Sequence, residues 1–260
     1  MLVLLLVFAG VLGLAVGSFL NVVIHRVPAG LSVVSPPSHC PDCETPIRAR
    51  HNVPVAGWVL LRGRCADCRT PISTRYPLVE AITGALFLLV TWRAVQLGQE
   101  AALPALLSFT ALGVALSGID LDTRRLPDAL VLPAYPVLGT LLVAAAAARG
   151  DWEAAVRAGA GAVVLFGFFF ALALIHPAGM GFGDVKLAGV IGLVLGYLSW
   201  SALAIGAFAG FFLGAVVGVV VMAVGTAGRK TALPFGPFMV AGALAALWVA
   251  DPVMGLLLPG

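Results

Sequence analysis

The stretch Met180-Gly181-Phe182-Gly183-Asp184-Val185-Lys186-Leu187 sits between two apolar runs, Ala158 to Ile175 and Leu187 to Leu198. A carboxylate, two glycines and a lysine thus lie at the mouth of a segment otherwise suited to lipid. Ionisable groups at the edge of membrane spans are costly and usually functional. A second island, Asp120-Leu121-Asp122-Thr123-Arg124-Arg125-Leu126-Pro127-Asp128, has the same setting, with the apolar runs Leu103 to Ile119 before it and Ala129 to Ala148 after it.

The composition agrees with a chain threaded through a bilayer. Of 260 residues, 61% are hydrophobic and 10% charged, with mean hydropathy +1.07; a soluble domain carries about 25% charged residues. The net charge of +3 comes with no basic groove interleaved with aromatics, so no nucleic-acid partner is expected. The partner is a lipid bilayer. The apolar run Met1 to Ile24 has no basic residue before it and is long enough to span, so it reads as a retained helix and not a cleaved signal.

Working outward predicts an all-α polytopic membrane protein of about eight transmembrane helices: Met1–Ile24, Pro77–Val95, Leu103–Ile119, Ala129–Ala148, Ala158–Ile175, Leu187–Leu198, Ala202–Val224 and Phe238–Leu258. The sixth is short for a core of about 30 Å. This threading puts twelve of the fifteen basic residues in loops on one side, Arg229 and Lys230 among them; only Arg93, Arg149 and Arg157 fall at the other. Basic loops stay cytoplasmic. Both termini are therefore expected outside, with Asp120, Asp184 and the cysteines at the cytoplasmic face. No internal repeat is expected beyond Ala- and Gly-rich helices.

Between the first two helices, residues 25–76 hold seven arginines, three acids and two cysteine pairs, Cys40-Pro41-Asp42-Cys43 and Cys65-Ala66-Asp67-Cys68. Four thiolates suit tetrahedral zinc, with His39 and His51 as spare ligands. A segment too small to bury a core gains its folding free energy from such a metal. A small zinc-binding cytoplasmic segment is therefore expected here. Asn21, polar within the first helix, reads either as a helix–helix hydrogen bond or as a ligand contact near the cytoplasmic face. Glu80 reads either as a headgroup-layer acid near Arg75 or as a working group.

Asp120 and Asp184 lie 64 positions apart and can meet only through tertiary packing. Two adjacent carboxylates share one proton. The charged member takes a proton from water while the neutral one donates to a carbonyl. Gly181 and Gly183 suit a site where a substrate backbone lies close. Asp122 and Asp128 are further acids of the island, and Asp128, after Pro127, suits a cap on the fourth helix.

These residues resemble the type IV prepilin peptidases. The likeness runs through Gly17-Ser18-Phe19-Leu20-Asn21-Val22, His25-Arg26-Val27-Pro28, both cysteine pairs, and Ile72-Ser73-Thr74-Arg75-Tyr76-Pro77 with Glu80. It continues in Asp120 with Leu126-Pro127-Asp128, in Gly181-Phe182-Gly183-Asp184 with Lys186, and in Pro234-Phe235-Gly236-Pro237-Phe238. The resemblance implies an aspartic endopeptidase of the G-x-G-D class in the bacterial inner membrane, with Asp120 and Asp184 catalytic. It implies cleavage of prepilins and type II secretion pseudopilins after a glycine that ends a basic leader. N-methylation of the new N-terminus then follows, with S-adenosylmethionine as donor. The cysteine segment goes with the methyl-transfer half, for which Asn21 and Glu80 are candidates. The implied organisation is a first helix at 1–24, the zinc segment at 25–76 and a protease domain at 77–260. Competing readings are a proton-coupled transporter using the same aspartates, or an inert membrane subunit of a secretion machine.

Overall fold

The computed structural model describes residues 1–176, 180–224 and 233–257, with side chains to residue 249. Arg229, Lys230 and Leu258, which entered the expectations above, lie outside these. The described residues form helices without named strands: α1 (Leu2–Arg26), α2 (Ala56–Leu60), α3 (Arg75–Gln96), α4 (Leu103–Thr123), α5 (Asp128–Arg149), α6 (Trp152–Ile175), α7 (Phe182–Leu198), α8 (Trp200–Ala223) and α9 (Gly236–Leu257). A helix stands at each of the eight expected places. Among the described residues, six are long and apolar enough to cross a membrane. The chain is therefore a multi-pass membrane protein.

The packing divides the chain into two units, Met1–Val95 and Gln96–Gly260. In this division α3 falls, up to Val95, with α1 and the cysteine segment.

In the first unit, small residues four apart on α1 (Ala9, Gly13, Gly17) let two helix backbones touch. A Cβ on Gly13 would meet Gly84 Cα of α3 at 2.8 Å, and one on Gly17 would meet Glu80 Cα at 2.7 Å. Asn21 Nδ2 donates to Gly17 O at 3.3 Å and to Tyr76 O at 3.2 Å, joining the end of α1 to the start of α3. The interhelical reading of Asn21 thus describes its contacts.

In the second unit, α7 is the enclosed element. Every residue from Leu187 to Tyr197 is buried. At 1.5 Å per residue its 17 residues reach about 26 Å, short of the apolar core. A helix walled by protein rather than lipid need not match that thickness. Its main neighbour is α6, approached through Gly161, Gly192 and Gly196. The helix also begins at Phe182, five residues before the expected Leu187.

The fifth expected span begins early too. α6 starts at Trp152 because Asp151 accepts from Ala154 N at 3.0 Å as its N-cap. Arg157 therefore belongs to the helix and not to an outer loop. It donates to the carbonyls of Gly196 and Tyr197, both at 2.8 Å, and so satisfies the C-terminal end of α7.

Candidate functional site

Asp120 stands in the last turn of α4, which closes on Arg124 in the left-handed region (φ +53°). Its residue is only 5% exposed, whereas Asp122 faces outward. Its Oδ2 accepts from Gly236 N, the first residue of α9, at 3.0 Å. A Cβ on Gly236 would meet that oxygen at 2.9 Å, so only glycine lets the amide come this close. Phe235, next to it, packs against Phe169 of α6 and Phe211 of α8, with ring centroids 6.3 and 5.3 Å away, and those two rings stack on each other at 5.2 Å. This aromatic cluster thus helps set the position of the neighbouring Gly236 amide.

Asp184 lies in the first turn of α7, half-buried. Its Oδ2 accepts from Gly181 N at 3.2 Å, while Asp184 N donates to Gly181 O at 3.0 Å. This reciprocal pair starts the helix. The two carboxylates are close enough for the charge of Asp120 to act on Asp184. Leu126 is a shared neighbour of Gly183 and Gly236. A Cβ on Gly183 would meet Leu126 Cβ at 3.0 Å, and one on Gly236 would meet Leu126 Cδ2 at 3.3 Å. Gly183 therefore makes room for Leu126, while Gly181 is exposed beside the Asp184 carboxylate.

Asp128 does not cap α5. The N-cap is Pro127, and Asp128 is the first helical residue. Its carboxylate instead takes both bonds from Lys186 Nζ, at 2.7 and 2.8 Å. The Lys186 ammonium also lies 5.0 Å from the Phe182 ring centroid, and Tyr135 donates to Lys186 O at 2.7 Å. Leu126, Asp128, Lys186 and Gly236 all stood in the motifs quoted above. The bond from Gly236 to Asp120 and the Lys186–Asp128 pair were invisible because they join residues 116 and 58 positions apart.

The second chemical centre is in the first unit. The thiol sulfurs of Cys40, Cys43, Cys65 and Cys68 lie within 4.8 Å of one another. Cys40 and Cys68 are 3.7 Å apart, and Cys43 and Cys65 4.0 Å, far beyond a disulfide bond. Sulfurs at 2.3 Å from a tetrahedral ion would stand about 3.8 Å apart, so the four fit one metal ion. Hydrogen bonding with Thr70, side chain first and backbone second, holds the Cys68 thiol down at about 6, whereas the Cys40 thiol is shifted the other way, up to about 11. His39 is turned to Pro37 O at 3.1 Å and is outside the cluster, as is His51.

The two pairs are built alike, which corrects the expectation of no internal repeat. Cys-Pro-Asp-Cys-Glu-Thr-Pro-Ile at 40–47 matches Cys-Ala-Asp-Cys-Arg-Thr-Pro-Ile at 65–72. Each forms a small hairpin, with bridges His39–Pro46 and Arg64–Pro71. Each has a left-handed residue after the second cysteine, Glu44 (φ +55°) and Arg69 (φ +65°). Matching backbone bonds, Cys40 N to Thr45 O and Cys65 N to Thr70 O, close both. Of the remaining candidates, Asn21 is placed as described, and Glu80, 8% exposed, accepts from Val55 N at 2.7 Å.

Comparison with known proteins covers both units. Residues 11–94 match the family model described as the bacterial peptidase A24 N-terminal domain, and residues 106–219 match the type IV leader peptidase family. A protein from Stutzerimonas stutzeri named prepilin leader peptidase/N-methyltransferase is 36% identical over 266 residues, covering 92% of this chain and 89% of the relative. One of the same name from Pseudomonas putida is 38% identical over 268 residues, with the same two coverages. Another, from Neisseria gonorrhoeae, is 36% identical over 258 residues, covering 88% of this chain and 85% of the relative. No solved structure matches the chain.

Proposed function

The chain belongs to the type IV leader peptidase family, and on that premise we propose that it cuts the leader from prepilins at Asp120 and Asp184 and then N-methylates the new N-terminus. What supports the peptidase half is that two carboxylates 64 positions apart each have one oxygen on a backbone amide, with Asp120 near enough for its charge to act on Asp184. A pair that shares one proton has an acid and a base at once. The charged carboxylate takes a proton from water as the water oxygen attacks the scissile carbonyl carbon. The protonated carboxyl gives its proton to the carbonyl oxygen. Collapse of the tetrahedral species breaks the C–N bond, and the proton taken from water goes to the leaving amine. The products are a leader with a free carboxylate and a pilin with a free amine. Gly181, exposed at the carboxylate of Asp184, is where the substrate backbone draws near; Gly183 serves by seating Leu126.

The methyl-transfer half is assigned to the first unit. Its four cysteines suit zinc, which would join the two hairpins and give a coreless segment a fixed shape. S-adenosylmethionine, when bound, supplies an electrophilic methyl group to the amine exposed by the cut. Pseudopilins of type II secretion share the substrate chemistry of a basic leader before an apolar helix. With basic loops facing the cytoplasm, the aspartates and cysteines face the cytoplasm of an inner-membrane protein whose termini lie outside. The transporter reading has no observation in its favour.

The test is incubation of detergent-solubilised protein with a prepilin, followed on a gel. A shortened band is expected with wild type, and none with Asp120→Ala or Asp184→Ala at equal expression. Solute uptake without cleavage would reverse the proposal.

A further inference from the structure

Val55 carries a backbone that its residue type resists. Its φ is +59° and its ψ −52°, and Ala56 N donates across it to Pro54 O at 2.6 Å. This is the strained form of the three-residue turn. Positive φ in a β-branched residue is a genuine outlier, and such strain persists only where the surroundings hold it. The holding group is the Glu80 carboxylate, which accepts from Val55 N at 2.7 Å. Glu80 is buried on α3, its backbone set against Gly17 of α1. A buried acid from a membrane helix therefore grips the one strained turn that opens α2.

The grip is transmitted. α2 carries Trp58, whose Nε1 donates to Ile72 O at 3.0 Å. Ile72 N donates to Gly63 O at 2.7 Å, and the Trp58 ring covers Gly63 so closely that a Cβ there would meet it at 2.7 Å. Residues 63 and 72 flank the second hairpin, in which Arg64 and Pro71 bridge and Cys65 N bonds Thr70 O at 2.8 Å. A continuous chain of short contacts thus runs from Glu80 through Val55, Trp58 and Ile72 to the cysteine centre.

From this we infer that Glu80 is a positioning residue for methyl transfer, fixing the height and angle of the cysteine centre over α1 and α3 by clamping the Val55 turn. The inference rests on the assignment of methyl transfer to the first unit. Transfer of a methyl group to an amine needs in-line alignment, and a misplacement of about 1 Å costs on the order of a hundredfold. Peptide cleavage, done in the other unit, does not depend on this clamp. The clamp requires a hydrogen-bond acceptor and not a negative charge, so an amide at the same place serves. It also opposes strain, so removing the strain lessens the need for it.

The experiment follows both activities and zinc content in detergent-solubilised full-length protein, with S-adenosylmethionine and either intact prepilin or pilin already cut. Glu80→Ala is expected to lower the turnover of methyl transfer at least about tenfold, with cleavage, zinc content and the KM for the methyl donor held. Glu80→Gln is expected to methylate like wild type. Val55→Gly, free to adopt positive φ, is expected to restore part of the loss in the Glu80→Ala background. Wild-type methylation by Glu80→Ala, equal loss in Glu80→Gln, no recovery with Val55→Gly, or a parallel loss of cleavage would each overturn the inference. Cys40→Ser run alongside separates it from its premise: if that variant methylates normally, the assignment of the first unit is wrong, whatever Glu80 does.

Discussion

Lys186 Nζ donates to both oxygens of Asp128, at 2.7 and 2.8 Å, tying the residue two places after Asp184 to the residue that opens the helix after Asp120. The pair joins the two segments that carry the candidate catalytic acids. It is partly exposed, with side chains 20% and 56% accessible, so its contribution to stability is under about 1 kcal/mol. Its value lies in register.

Breaking this pair should therefore cost rate rather than fold. Lys186→Met and Asp128→Asn are each expected to lower kcat/KM for prepilin cleavage about tenfold, or about 1.4 kcal/mol in the barrier, with expression and thermal stability nearly unchanged. The exchanged pair, Asp128→Lys with Lys186→Asp, should recover most of the rate. Cleavage kinetics on the three variants check this.

Gly236→Ala should be more damaging. Its Cβ would lie 2.9 Å from Asp120 Oδ2, taking the place of the approach that holds the carboxylate. Cleavage is expected to fall about a hundredfold, while methylation of pilin already cut continues. Gly183→Ala, whose Cβ would lie 3.0 Å from Leu126 Cβ, should show a milder loss that Leu126→Gly, which removes that atom, partly relieves. Assays on intact and precut substrate distinguish these outcomes.

Much of this architecture was legible because lipid makes a strong demand on sequence. Apolar runs placed α1, α3, α4, α5 and α8 within a few residues. Hydropathy erred at α6 and α7 for one reason: a helix start is set by hydrogen bonds, and it can be polar. The cues were present, in Asp151 ahead of Trp152 and in Asp184 three residues after Gly181. Arg157 looked like a loop residue because its partners, the carbonyls closing α7, lie 39 and 40 positions away. A still greater distance in sequence, 116 positions, hid the bond from Gly236 to Asp120. The repeated Cys-x-Asp-Cys-x-Thr-Pro-Ile is legible in the sequence through the residues that neighbour the cysteines. Those neighbours make the hairpins: the left-handed turn at Glu44 and Arg69 and the bridge to Pro46 and Pro71.

Removal of the metal should separate the two activities. Cys40→Ser, or chelation of the wild type, is expected to abolish zinc binding, loosen residues 39–72 and suppress methylation, with cleavage retained. Metal analysis and hydrogen exchange across that segment, with both assays, test this.

The pH dependence of cleavage should be bell-shaped. In acid both carboxyls are protonated and no base remains; in alkali both are ionised and no acid remains. Activity is thus lost on either side of the singly protonated pair. Methylation of precut pilin, measured over the same range, should lack this form. A cleavage rate flat on both sides would remove the shared-proton mechanism.

The most direct test of the whole account is the intact mass of the pilin after incubation with S-adenosylmethionine and wild-type, Asp120→Asn or Asp184→Asn protein. Wild type should yield a pilin shortened at the leader junction and heavier by one methyl group, and each asparagine variant should leave the full-length substrate. A variant lacking either carboxylate that still produced the shortened pilin at the wild-type rate would contradict the claim that the two acids act together.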